Sequence, residues 1–246
     1  MAGGAQTSGE GLGSHSGDIA AMTTHMRVLA SDHSPEAVQH LIKDIQRGLP
    51  PVALVALLES LRTSPRGDLT GIVLKLSSHR RPAVRGYACQ VLIAQGSPWA
   101  RGAILVAIED HDLRVRKIGY EAIERSPRHD YQWPLFRLVK RGETAAVDAL
   151  IASSTQEILP YLEAEEVLPA ASLARLLGGL LARDGFGQEP RRLAMVSALA
   201  NNETPASQNE LWVFAHADLN EKQPGPQILA RQIIVSRTGD ESLFDE

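Results

Sequence analysis

Two arginines 31 positions apart, Arg85 and Arg116, stand in matching surroundings, "RPAVRGYACQVL" from Arg81 to Leu92 and "DLRVRKIGYEAI" from Asp112 to Ile123. Guanidinium groups repeated at a fixed step along one groove form a cationic ladder, and their planar forks suit phosphates and carboxylates. Arg80, Arg81, Arg114, Lys117, Arg125 and Arg128 add charge that the helix phase puts at turns or away from a core. Two readings stand for these residues: an ordinary solvated basic face, or a contact for an acidic surface. Arg85 and Arg116 carry a further one, because their column also holds Leu54 and Val147 at the edge of an apolar stripe. Their stems then pack inward, and the ladder is structural.

Other residue types fit catalysis less well. His79, the pair His111 and Asp112, and Asp130 or Asp148 supply in order the letters of a helical metal-dependent phosphohydrolase, but both His-Asp pairs fall in turns, where Asp is already accounted for as a helix cap. A site holding an extruded cationic base needs an aromatic ring and a carboxylate on one helical face. Trp99, Trp133 and Trp212 are followed four residues later by Ala103, Arg137 and His216, so none meets that need at this step. Cys89 shares its column with Leu58, Tyr120 and Ile151 and reads as a packed, inert thiol, with Tyr120 in the core beside it. Gly178 and Gly179 lie inside a Leu-rich helix, where they let another helix approach, and form no phosphate loop. No CxxC or HExxH pattern occurs. No catalytic residue, cofactor or metal ligand is expected.

The elements that position these side chains follow from the 31-residue step. Val38, Leu69, Ala100 and Tyr131 form one column; Ile42, Val73, Ile104 and Leu135 another; Ile45, Leu76, Ala107 and Leu138 a third. In the second half of each unit the columns are Leu57, Ala88, Gly119, Leu150; then Leu58, Cys89, Tyr120, Ile151; then Leu61, Leu92, Ile123 and the polar exception Ser154. Within a unit the columns recur at helical spacing in two stripes, so each unit is a helical hairpin. Ser34-Pro35, Ser64-Pro65, Ser97-Pro98 and Ser126-Pro127 recur near unit starts, as N-cap and first-turn pairs would. Asp112 is a cap candidate for the second helix of the third unit. Hairpins this short bury their apolar faces only by stacking on neighbours, and the fold class is all-α.

The "PAVRGYACQVL" and "LRVRKIGYEAI" helices resemble HEAT repeats, in particular the short type of phycobilisome-lyase-like proteins. The resemblance covers residues 34–154 and is specific in the second and third units; the first and fourth match by hydrophobicity, with Leu54 and Val147 in place of arginine. It implies a right-handed α-α superhelix, an armadillo-like solenoid of about six hairpins, of bacterial type. It also implies that the arginine pairs with an aspartate of a neighbouring turn, for which Asp110 and Asp112 are available. Such scaffolds bind proteins, and the partner-binding residues expected here are Arg81, Arg85, Arg114, Arg116 and Lys117. Enzymes on related scaffolds, bilin lyases and helical-repeat DNA glycosylases, are the alternative reading, and an immunity-type or regulatory binding subunit is another.

Beyond residue 155 the register is lost while helical stripes continue: Leu173, Leu176, Leu177, Leu180 and Leu181; Leu193, Val196 and Ala200; Leu211, Phe214 and Ala215; Ile228, Leu229 and Ile233. The expected organisation is a Gly/Ser-rich disordered tail over 1–18, one solenoid domain over 19–237 with degenerate repeats over 155–237, and an acidic tail over 238–246. Formal charge divides unevenly. Residues 19–142 hold 18 Lys+Arg against 11 Asp+Glu, a net of +7, and residues 143–246 hold 7 against 16, a net of −9. The basic half points to a protein partner with an acidic surface, and the acidic half disfavours nucleic acid, whose affinity is governed by backbone charge. A single cysteine, no basic and apolar leader and no long apolar run make a cytoplasmic protein without a membrane segment the expectation.

Overall fold

The computed structural model describes residues 10–64, 66–96, 98–162, 168–183, 185–217 and 224–244. Among them the regular structure is fourteen α-helices and five short 3-10 turns, with no strand. The chain divides into two compact units, Met1–Gly119 and Tyr120–Glu246.

The first unit holds α1 (Glu10–Ser31), α2 (Pro35–Arg47), α3 (Pro51–Thr63), α4 (Thr70–Leu76), α5 (Pro82–Ala94), α6 (Trp99–Ile108) and the first half of α7 (Leu113–Arg125). The starts of α3, α5 and α7, at Pro51, Pro82 and Leu113, fall 31 residues apart, and Thr144 opens a 3-10 turn one further step along. Helix α3 packs on both α1 and α5, which in turn packs on α4 and α6. The core of this unit is aliphatic: Leu41, Leu57, Leu58, Leu61, Val73, Val84, Ala88 and Leu92 are all nearly sealed from solvent. Small side chains set the spacing. A Cβ added to Gly119 would lie 2.6 Å from Ile108 Cγ2 and 3.1 Å from the Ile108 amide, so α6 and α7 meet only because that carbon is absent.

Chain punctuation explains several boundaries. Ser34 caps α2, its hydroxyl accepting from the Ala37 amide at 3.2 Å with Pro35 in the first turn, and Gly48, at φ 92°, closes the helix in the left-handed region. Ser64 and Ser126 do not open helices. Ser64 closes α3 through a bond from its amide to the Ser60 carbonyl, and the Ser126 amide donates to Ala122 at the end of α7. Proline disfavours helical backbone in the residue before it, which suits a stop as well as a start. Pro65 and Ser97 lie outside the described residues. The expected columns of the second helices are buried except at Ile151, whereas α2 turns inward one residue early, burying Ala37 and Leu41 and leaving Ile42 39% exposed. Residues 48–50 link α2 to α3 where 77–81 link α4 to α5, and the shorter link displaces the phase. Helix α1 starts inside the segment expected as a tail, and residues 1–9 lie outside the described ones. Its anchorage is at Met26 and Ala30, both buried.

The second unit holds the rest of α7, then α8 (Gln132–Lys140), α9 (Val147–Ser153), α10 (Leu159–Leu162), α11 (Ala170–Leu181), α12 (Glu189–Asn201), α13 (Pro205–His216) and α14 (Gly225–Thr238). Helix α11 packs on α9, α12 and α13, and α14 packs on α12 and α13. Gly178 and Gly179 serve two approaches: a Cβ on the first would collide with the Glu210 carboxylate of α13, and one on the second with the Ile151 side chain of α9. Helix α14 buries Pro226, Ala230 and Ile234, not the expected Ile228, Leu229 and Ile233. Its phase is set by polar bonds, since Gln227 Nε2 donates to the Ala217 carbonyl and Arg231 Nε donates to the Ala215 carbonyl at 2.8 Å. Within the segment expected as an acidic tail, Phe244 lies 4.5 Å from the His216 ring and under the Arg231 guanidinium.

Candidate functional site

The last turns of helices leave carbonyls without intrahelical partners and carry partial negative charge, so a guanidinium placed beside them is favoured twice. Arg66, Arg183 and Arg192 use that pairing, and Arg85 and Arg116 clamp in the same way the turns that lead into their own helices. Arg85, the fourth residue of α5, reaches back across the turn that follows α4 and donates from Nη1 to the carbonyls of His79 at 2.9 Å and Arg80 at 3.2 Å. Arg116, the fourth residue of α7, repeats this one period later, donating from Nη1 to the carbonyls of Asp110 at 2.9 Å and His111 at 3.1 Å. The two clamps are the ladder seen in the sequence.

Arg85 goes further. Its Nε and Nη2 donate to the two oxygens of Asp110 at 2.7 and 2.8 Å, and Nη2 lies 3.1 Å from His111 Nε2. Four N–H directions of the guanidinium thus have a carbonyl or carboxylate acceptor, and the fifth faces His111 Nε2, which accepts when the ring carries its proton on Nδ1. Both side chains of the pair are 7% exposed. Burial alone would raise the Asp110 carboxyl, but the bonds from Arg85 and from the Asp112 amide hold it below the ordinary aspartate range. The hydrogen bonds from Arg85 to Asp110 likewise raise the guanidinium further. Asp110 Oδ1 also accepts from the Asp112 amide at 2.8 Å, and Asp112 Oδ1 from the Arg114 amide at 2.9 Å, which caps α7 as expected. Of the five residues expected to meet a partner, Arg85 is thus buried and fully engaged, and Arg116 is half-buried with Nη1 on its clamp. Arg81, Arg114 and Lys117 face solvent, the Arg114 side chain almost completely.

Of these cations Arg114 lines a groove of about 250 Å³ between α5 and α7, together with Pro82, Ala83, Gly86, Tyr87, Gln90, Val115 and Ile118, and Arg81 and Lys117 are chain neighbours of that lining. Tyr87 is fixed in its wall by a hydrogen bond from its hydroxyl to Glu59 Oε1 at 3.0 Å. At the head of α5, His79 Nδ1 accepts from the Arg81 amide at 3.1 Å, and burial together with the charges of Arg80, Arg81 and Arg85 lowers the proton affinity of its ring. That bond requires Nδ1 unprotonated, and it fixes the Arg81 backbone one residue before α5.

Further clamps escape the 31-residue register. Arg192, the fourth residue of α12, is 2% exposed and donates to the carbonyls of Leu181 at 2.9 Å and Phe186 at 3.2 Å beyond α11. Arg183 secures the end of α9 through the carbonyls of Ile151 at 2.7 Å and Ser154 at 2.8 Å. Arg66, 2% exposed, binds the carbonyls of Ala30 in the last turn of α1 and Asp32 just beyond it, and forks onto Asp68. Arginine as the fourth residue of a helix, rather than at a fixed interval, is the signal that finds Arg192.

The residues with catalytic letters are not assembled. Among the described residues no group of three or more His, Cys, Asp or Glu side chains is placed to hold a metal ion. The Cys89 thiol is buried, and burial pushes its pKa up to about 11, so it is a poor nucleophile near neutrality. Trp133 packs edge-on against Phe136 and Tyr161, and Trp212 stacks on His216 with 4.2 Å between centroids. The second unit carries an acidic group around Arg175, whose Nη2 lies 3.1 Å from Asp148 and Nη1 3.4 Å from Glu210. No helix among the described residues is long and apolar enough to cross a membrane. Compared with family models, curated proteins and solved structures, the chain matches none.

Proposed function

We propose that this chain is a HEAT-like α-solenoid, a right-handed superhelix of about six hairpins, that works as a non-catalytic adaptor binding an acidic surface of another protein. The observation that carries the reading is the division of labour among the arginines. Arg85 and Arg116 are spent on the α4–α5 and α6–α7 turns, while exposed Arg81 and Arg114 stand at the helix starts that those turns position and exposed Lys117 follows within the first two turns of α7. Cations on a pre-organised edge lose little entropy when they meet carboxylates, and they raise encounter rates with an acidic partner. The acids at that edge answer them only in part: Asp110 is committed to Arg85, and Asp112 caps α7 while lying 3.9 Å from Arg114 Nε at the solvent edge, where such a pair is worth little. A cytoplasmic protein without a membrane segment remains the setting this reading assumes.

The experiment is affinity capture with the full chain followed by quantitative binding. The triple charge reversal Arg81→Glu, Arg114→Glu and Lys117→Glu is expected to weaken the complex by two orders of magnitude or more, with helical circular dichroism unchanged and with salt weakening the wild-type complex. Equal binding by the triple variant overturns the proposal. The helical stacking is tested separately by small-angle scattering of the chain, which for an elongated superhelix gives a radius of gyration above that of a sphere-like domain of this length.

A further inference from the structure

We propose that the groove between α5 and α7 receives one large apolar side chain from an acidic segment of the partner, whose carboxylates lie toward the N-terminal ends of the two helices; this rests on the adaptor reading above. The walls are apolar, made by Pro82, Ala83, Gly86, Tyr87, Val115 and Ile118. At about 250 Å³ the groove is smaller than the pockets that take drug-sized molecules, and it suits a single side chain.

The groove exists because of a glycine. Residues 55, 86 and 117 form one column at the 31-residue step, occupied by Val55, Gly86 and Lys117. A glycine inside a helix weakens it, and here the missing carbon lets Ile118 settle against the α5 backbone: a Cβ on Gly86 would stand 2.9 Å from Ile118 Cδ1. The opposite wall is preformed as well, since the Tyr87 hydroxyl is bonded to Glu59.

Charge is graded along the groove. At the heads of the two helices stand exposed Arg80, Arg81 and Arg114, with the positive ends of two helix dipoles, and exposed Lys117 follows one turn along α7. The acidic groups at that end are Asp110, buried against Arg85, Asp112, bonded to the Arg114 amide, and exposed Glu109. Toward the other end the charge is mixed, with Gln90 in the lining and Glu59 of α3, bonded to Tyr87, lying 3.8 Å from Arg27. A segment with an apolar anchor and carboxylates to one side matches both the walls and the gradient, and a neutral apolar segment matches only the walls.

The test uses the full chain with methyl-labelled Ile and Val and three synthetic nine-residue peptides, each acetylated and amidated. The first has a central Leu flanked by Glu, the second has Ser in place of that Leu, and the third has Gln in place of every Glu. The Leu–Glu peptide is expected to shift the methyls of Ile118 and Val115 saturably, and the Ser and Gln peptides each to bind at least tenfold more weakly. Gly86→Ala, which favours the helix while narrowing the groove, is expected to weaken the Leu–Glu peptide about tenfold without lowering the melting temperature. Arg114→Glu, on a side chain 93% exposed, is expected to weaken the Leu–Glu peptide by a larger factor than the Gln peptide. Equal binding of the Leu and Ser peptides with silent Ile118 and Val115 methyls overturns the groove and leaves the adaptor reading standing. Equal binding of the Glu and Gln peptides overturns the acidic occupant, and with it the adaptor reading. Silence of the methyls with every peptide at millimolar concentration overturns the inference outright.

Discussion

Replacing Asp110 by Asn tests how the Arg85 clamp is built. The substitution keeps the shape of the side chain and one acceptor but removes the charge that faces a guanidinium at 2.7 and 2.8 Å, in a pair whose side chains are each 7% exposed. Breaking one partner of a buried pair leaves an uncompensated buried charge and costs about 3–5 kcal/mol; two carbonyl bonds still hold Nη1, so the lower end, about 3 kcal/mol, is expected. With a slope near 2 kcal/mol per molar urea, that moves the unfolding midpoint of the first unit down by about 1.5 M. Arg85→Met loses the carbonyl bonds too, and in the Asp110→Asn background it is expected to cost much less than alone, because the two residues act as one group. The sign of the pH dependence follows from the depressed carboxyl. Asp110 stabilises the fold fully above the ordinary aspartate range, and this contribution disappears as pH falls through its lowered native value. Urea titrations of wild type, both single variants and the double variant, at neutral and acidic pH, measure all of this. A loss below about 1 kcal/mol for Asp110→Asn, or additive single losses, refutes the description of the pair as a buried unit.

The other clamps and close approaches make further predictions. Arg192→Met removes bonds to the Leu181 and Phe186 carbonyls from a residue 2% exposed, and is expected to destabilise the second unit by about 2–3 kcal/mol in the same titration. Gly178→Ala drives a methyl into the Glu210 carboxylate, for an expected cost of about 1–3 kcal/mol read as a lowered melting temperature; an unchanged melt contradicts the close approach of α11 and α13. Cys89 is expected to resist a thiol reagent at pH 8 in the native protein and to react fully in urea, since burial holds its pKa at about 11. Rapid native modification contradicts its placement.

The second helices of the repeat were readable because one period coincides with one buried stripe: Leu57, Ala88, Gly119 and Leu150 occupy equivalent inward positions. The first helix of the first hairpin was misread by one residue because the link to α3 is shorter, a change in loop length that apolar counting does not register. In α14 the inward face was decided by Gln227 and Arg231 bonding to carbonyls of α13 and the turn after it, so a polar requirement overrode the apolar stripe through Ile228 and Ile233. The arginine ladder was visible, together with an aspartate to answer it, but Arg192 was not, since irregular turns between Tyr131 and Glu189 break the interval. The groove was illegible for a different reason. It depends on what Gly86 lacks and on where Ile118 then settles, which no residue pattern states.

The measurement that bears most directly on the adaptor reading is the dissociation constant for a captured acidic partner. It is compared between wild type, the triple reversal at Arg81, Arg114 and Lys117, and a control with three exposed cations reversed elsewhere, at Lys43, Lys140 and Arg141. The expected result is a loss of about a hundredfold, close to 2.7 kcal/mol, for the first triple variant and little change for the control. Equal losses in both variants, or none in either, contradict a partner surface at the heads of α5 and α7.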